Sequence, residues 1–154
     1  MTPAERLAGL LGPWRVIRVL RHADGTRARF RGRADWTPRG PVLHCLEDGT
    51  LDQGGARYPA SRVTLWRADA TRLHVAFADG RPFHAFAAGP RAGAVHDCPP
   101  DTYRIGYDFG GGQGWSCRWH VTGPRKSYRA LTRYRRWAAA QASTSRSSWR
   151  ARST

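Results

Sequence analysis

The residues best equipped for chemistry sit close together in His96-Asp97-Cys98-Pro99-Pro100-Asp101-Thr102-Tyr103. His96 and Cys98 stand two apart, and on an extended segment they point the same way. With His84 they would supply imidazole and thiolate ligands of the kind zinc or haem iron accepts. No fourth ligand is evident, so no metal site is predicted. Cys98, His96 and Asp101 also hold the ingredients of a cysteine nucleophile with its base. Residues two apart on one strand are poorly placed for that, with β carbons roughly 6–7 Å apart, and no glycine-rich elbow exposes the sulfur. Buried, hydrogen-bonded side chains remain the simpler reading, with Pro99-Pro100 forcing a rigid bend that Asp101 caps by bonding local backbone.

Further polar candidates lie elsewhere. Arg125 and Lys126 follow Gly123-Pro124, so a fixed turn sets their direction. They would form either an anion clamp or, for Arg125, a basic lid packed across Trp14 at one end of the fold. Arg62 opposite Glu47 reads as a buried ion pair more readily than as a ligand contact. His84 falls among apolar side chains, where a satisfied core histidine is the simpler reading. Even so, Trp36, Trp66, His84, Tyr103 and Trp119 would line an aromatic pocket with a few polar handles.

These residues need a scaffold, and the patterning describes one. The chain has 154 residues, is 40% hydrophobic, and carries seven Trp, five Tyr and five Phe, enough for a single core. A short helix over Pro3 to Leu11 stops at Gly12-Pro13. After it, about nine strands alternate apolar and polar residues: Trp14–Arg21, Thr26–Trp36, Val42–Asp48, Tyr58–Arg67, Arg72–Ala78, Arg81–Ala87, Tyr103–Phe109, Trp115–Val121 and Tyr128–Arg136. Gly89 to Gly93 is taken as a loop leading into the His96 segment. Asp79-Gly80 predicts a two-residue type I′ hairpin with Leu73 opposite Phe86, Val75 opposite His84 and Phe77 opposite Pro82; Phe83 then faces outward. In Tyr58–Arg67 the pattern does not say whether Arg62, Thr64 and Trp66 or Val63 and Leu65 face inward. Many antiparallel strands with short turns and no intervening helices predict an all-β, closed up-and-down barrel over residues 1–137, with 138–154 a disordered basic tail.

The formal charge of +15 suggests a polyanionic partner. Lys126 is the only lysine, however, and the arginines are dispersed along the strands, so nucleic acid is not the expected partner. Three cysteines without C-x-x-C spacing predict free thiols. No apolar run approaches the roughly 20 residues of a membrane span, and the N-terminus lacks a signal-peptide layout; a cytoplasmic protein is expected.

Gly12-Pro13-Trp14 after a short helix is similar to the glycine-x-tryptophan opening of lipocalin-like, or calycin, barrels. More specific are Phe30-Arg31-Gly32, Asp79-Gly80-Arg81-Pro82-Phe83-His84, the stretch from His96 to Tyr103, and Val121-Thr122-Gly123-Pro124-Arg125-Lys126-Ser127-Tyr128. Together they resemble domain-of-unknown-function family 6314 across Leu7 to Arg136. Ser127 and Cys45 depart from that pattern, which has an acidic residue and a tyrosine there. The resemblance implies a calycin-like barrel and no activity. The functional expectation is a protein that binds a flat or anionic small molecule against tryptophan walls. Its contacts would be Trp36, Arg62, Trp66, His84, His96, Tyr103, Trp119, Arg125 and Lys126, and its cofactor and oligomeric state are unspecified. The alternative is an enzyme using His84 or His96 as general acid or base.

Overall fold

A computed structural model describes residues 1–138. Helix α1 (Pro3–Ala8) is short and closed at its start by a capping box, in which Thr2 Oγ1 accepts the Glu5 N–H and the Glu5 carboxylate accepts the Thr2 N–H. Ten strands follow: β1 (Gly12–His22), β2 (Arg27–Arg39), β3 (Val42–Gln53), β4 (Ala56–Ala68), β5 (Leu73–Phe77), β6 (Pro82–Phe86), β7 (Arg91–Cys98), β8 (Asp101–Asp108), β9 (Gly114–Thr122) and β10 (Ser127–Arg136).

Apart from β6 and β7, strands adjacent in sequence pair antiparallel, and β10 returns to pair with β1, giving one sheet in the order β6-β5-β4-β3-β2-β1-β10-β9-β8-β7. The ladder does not run between β6 and β7. These two edges are joined by the turn over 87–90 and lie side by side, so the up-and-down barrel is nearly closed and has a seam. The expected ninefold count misses β7, because Gly89 to Gly93 and the short Ala92, Ala94 side chains conceal a strand whose inward face is small. The expected tail lies, apart from Ala138, outside the described residues.

Curvature is concentrated where β2 crosses β3. Gly32 stands opposite Gly49, and a β carbon on either would collide with the partner strand's backbone at Asp48 or Arg31. One end of the barrel is sealed. Trp14 Nε1 donates to Leu10 O, and the Arg136 guanidinium lies 4.0 Å from the Trp14 ring while donating to Gly9 O and Leu11 O. Arg6 reaches Ala88 O and covers Phe109 at 4.2 Å, tying α1 to the β6–β7 turn. A basic residue of the last strand thus does close over the opening tryptophan. It is Arg136; Arg125 lies at the opposite end of β10, exposed.

The hairpin differs from expectation in a way that matters for the site. Phe77 N–H donates to Arg81 O and Gly80 N–H to Phe77 O, with positive φ at Gly80 alone, so the connection is a three-residue turn rather than type I′. Leu73 opposes Phe86 and Val75 opposes His84 as expected, but a bulge then sets Ala76 against Pro82. The extra residue is Phe83. Both Phe83 and His84 are consequently buried, where alternation predicts that Phe83 faces solvent.

Candidate functional site

In β4 the more polar face is the inner one. Arg62 sits opposite Glu47, Thr64 opposite Cys45 and Trp66 opposite Leu43. Glu47, 4% exposed, is the centre of a charged cluster inside the barrel. Its carboxylate accepts from Arg18 Nη2 at 2.8 Å, Tyr134 Oη at 2.7 Å and Arg62 Nη2 at 3.3 Å. Arg18 also donates to Thr132 Oγ1 at 2.7 Å. Burial alone would push the Glu47 carboxyl up; the Arg62 and Arg18 charges and the Tyr134 hydroxyl pull it below its ordinary value. Arg18, also pressed by burial, is held charged by Tyr134 and Glu47. The expected Arg62–Glu47 pair is therefore real, but Arg18 is the closer partner. Sequence reading misses it because Arg18 lies between Ile17 and Val19, which are out-facing and exposed, so in this half of β1 the apolar pattern points to the wrong face.

Towards the sealed end, Trp36, Trp66, Trp115, Tyr107 and Tyr134 pack edge to face or stacked, with Trp115 and Tyr134 centroids 3.9 Å apart. Trp36 is 1% exposed and belongs to this packed floor together with Trp66. Towards the open end, Phe83 is the hub. Its ring centroid lies 4.5 Å from His84, 5.3 Å from His96, 5.3 Å from Trp119 and 5.8 Å from Tyr103. The Arg62 guanidinium covers Trp119 at 5.0 Å. Arg62, His84, His96, Tyr103 and Trp119 thus converge at the mouth. Lys126 stands at its outer edge, 3.7 Å from Asp101, where Tyr103 and Asp101 raise its pKa. Arg125 does not join them.

Little open space remains inside. A cavity of about 20 Å³, room for about one water molecule, is bounded by Arg62, Glu47, Thr64, His84 and Thr132. Arg62 Nε, His84 Nδ1 and Trp115 Nε1 are buried without a hydrogen-bond partner among the described residues, and all three residues line it. His84 Nε2 pairs with Tyr107 Oη at 2.7 Å. Burial, then the charges of His96 and Arg62, push the His84 pKa down to about 3, so the ring is neutral at pH 7. Outside, along β4–β6 at the seam, a groove of about 540 Å³ is lined by Leu65, Arg67, His74, Pro82 and His96. Val75, Phe83 and His84 border both the groove and the inner cavity.

Cys98 is exposed at the β7–β8 turn, and Cys45 and Cys117 are buried; all three are free. Asp97 accepts the Thr102 hydroxyl at 3.1 Å, and Asp101, expected to cap the double-proline bend through local backbone, meets Lys126 instead. Among the described residues no three His, Cys, Asp or Glu side chains converge as a metal site would need.

A family model described as a family of unknown function, DUF6314, matches residues 10–136. The chain belongs to this family. Its fold is similar to that of the S-type phycobiliprotein lyase CPES from Guillardia theta, with TM-score 0.68, 10% identity, and coverage of 90% of this chain and 94% of that one. No curated protein matches the sequence. As a member of DUF6314, the chain brings a barrel of established family and a mouth whose chemistry must be read from its own side chains. No helix among the described residues is long and apolar enough to cross a membrane.

Proposed function

We propose that this DUF6314 protein is a calycin-like binding barrel that takes a flat, anionic small molecule at its open mouth, with Arg62 as the charged contact and Trp119, Phe83, His96 and Tyr103 as the aromatic surround. One observation carries the reading. The seam groove of about 540 Å³ and the inner cavity share Phe83 and His84, and behind them Arg62 Nε and His84 Nδ1 are buried with no partner among the described residues. Unmet polar groups cost about 1–3 kcal/mol each when buried, and a ligand heteroatom reaching them recovers that. A flat ring replaces the edge contacts of Phe83 with stacking, and a carboxylate meets Arg62. The likeness to a phycobiliprotein lyase supports a bilin-like small molecule as the class of ligand. The three free cysteines support a reducing, cytoplasmic setting.

Acid–base catalysis by His84 is the weaker reading. A histidine with its pKa near 3 is too weak a base for proton abstraction at pH 7, and its Nε2 is already engaged by Tyr107. The test is titration of the full chain with two flat anions, anilinonaphthalene sulfonate read by its fluorescence and biliverdin read by its absorbance. Saturable binding of one probe per chain is the expected result, roughly tenfold weaker in Arg62→Gln and unchanged in Arg129→Glu. Binding unaffected by Arg62→Gln, or absent for both probes, would overturn the proposal.

A further inference from the structure

The arginines that look scattered in the sequence are gathered by the β alternation onto one outer face. On β1 the outward residues are Arg15, Ile17, Val19 and Arg21, and on β10 they are Arg129, Leu131, Arg133 and Arg135. Register then lines up like charges. Arg21 stands between Arg27 and Arg129, and Arg129 faces His120 on β9, which faces Arg104 on β8. At the other end Arg15 stands between Arg33 and Arg135. Like charges directly opposite on a sheet are destabilising, and nothing in the fold requires them here. Arg15, Arg21, Arg129, Arg133 and Arg135 make no ion pair with any described residue. The residues beyond 138 contain no Asp or Glu. The one acid opposite Arg29, Asp52, is taken by Arg57 at 3.0 Å.

Between the two basic rows runs an apolar one. Val19 faces Leu131, next to Ile17, and Val19 and Ile17 are 39% and 42% exposed. Next to this row, over Gly106, the surface carries a hollow of about 560 Å³ lined by Val19, Leu131 and His120 and rimmed by Arg21, Arg104, Arg118 and Arg129. An apolar centre ringed by arginine is the anatomy of a protein-binding patch. A nucleic-acid surface would carry its aromatic rings at the centre, for stacking; here the centre is aliphatic, Ile17, Val19 and Leu131, and the aromatic groups of this face, His120 between Arg104 and Arg129 and Trp137 under Arg15 and Arg33, lie at its margins.

We propose that the outer face of β1, β8, β9 and β10 docks an acidic protein surface that carries an apolar ridge, the ridge seated on Val19 and Leu131 with carboxylates on the flanking arginines. This site is separate from the barrel mouth. Full-length protein is titrated with three fluorescein-labelled probes of matched charge: a peptide alternating glutamate with valine, a polyglutamate, and a single-stranded oligonucleotide. At roughly 0.15 M salt the alternating peptide should bind most tightly. Arg129→Glu should weaken it at least tenfold while raising the melting temperature, because the reversal turns repulsion with Arg21 into attraction; Arg62→Gln should leave it unchanged. Val19→Ser should bring its affinity down to that of polyglutamate. The inference is overturned if the oligonucleotide binds more tightly than the alternating peptide, if polyglutamate matches that peptide in the parent protein, if no peptide binds, or if Arg129→Glu changes neither affinity nor melting temperature. Arg21→Gln, which removes a charge without reversing it, provides a milder second variant with the same expected directions.

Discussion

Replacing Glu47 by glutamine removes one negative charge from the interior and nothing else of comparable size. In the native protein that charge is met by Arg18, whose side chain is 15% exposed, at 2.8 Å, by Tyr134 at 2.7 Å and by Arg62 at 3.3 Å. Arg62 extends to the mouth, its side chain 38% exposed, and water compensates part of its loss. Arg18 has no such outlet. An uncompensated buried charge costs about 3–5 kcal/mol. At this chain length each kcal/mol lowers the melting temperature by roughly 2–4 °C, so a fall of roughly 6–20 °C is expected, read by circular dichroism together with urea unfolding. Adding Arg18→Met to Glu47→Gln removes the stranded charge and should recover more than half of the loss, a coupling well outside additive error. The acid limb gives an independent check. The Glu47 carboxyl is depressed in the folded state, so its contribution is fully present above its ordinary value of 4.5 and is lost as pH falls towards the lower folded value. The gap between parent and Glu47→Gln should accordingly be constant near neutral pH and shrink below about pH 4.5. A Glu47→Gln protein within about 1 kcal/mol of the parent at pH 7 would show that the cluster is not held as described.

Three other outcomes follow from the structure. His84 titrates near 3 when folded and at its ordinary 6.5 when unfolded, so stability present above pH 6.5 should decline as pH falls towards 3, by at most about 1.4 kcal/mol per pH unit, and His84→Gln should flatten that slope in pH-dependent urea melts. Arg136→Lys loses the planar stack on Trp14 and the forked donation to Gly9 and Leu11, at about 1–2 kcal/mol, and a thermal double-mutant cycle with Trp14→Ala should be non-additive. Thiol labelling of native protein should modify exposed Cys98 quickly; Cys45 and Cys117, whose thiols burial pushes up (Cys117 to about 11), should react only on unfolding, and fewer than three free thiols in total would contradict the structure.

The barrel is legible because its turns and its alternation agree. Phe30, Ala34 and Trp36 against Arg29, Arg31 and Arg33, or Trp115, Cys117 and Trp119 against Arg118, name the inner face of β2 and β9 without further help. Alternation fails where the interior is polar. In β4 Arg62 and Thr64 face inward and Val63 and Leu65 outward, and in β1 Ile17 and Val19 face solvent, because a charged cluster occupies the core and an apolar row occupies the surface. Those two inversions mark the two surfaces proposed to bind. Phe83 was beyond reach for another reason: a bulge depends on pairing between strands, and Asp79-Gly80 is compatible with more than one turn length. Of the candidate contacts, His84, Tyr103 and Trp119 meet through positions far apart in the chain, which the inward phase of their strands anticipates, whereas the pattern left the inner face of β4 at Arg62 open and hid the strand that carries His96. Trp36 and Trp66 share that phase too, yet lie a level deeper, and depth along a barrel axis depends on strand stagger that no local pattern reports.

The most direct measurement is a heteronuclear NMR titration of the tryptophan indole and histidine ring signals with biliverdin. A ligand at the mouth should shift Trp119, His84 and His96 while leaving Trp14, beneath Arg136 at the sealed end, in place. Shifts confined to Trp14 and Trp137, or no shift at Trp119 under saturating probe, would contradict a binding site at the open end of the barrel.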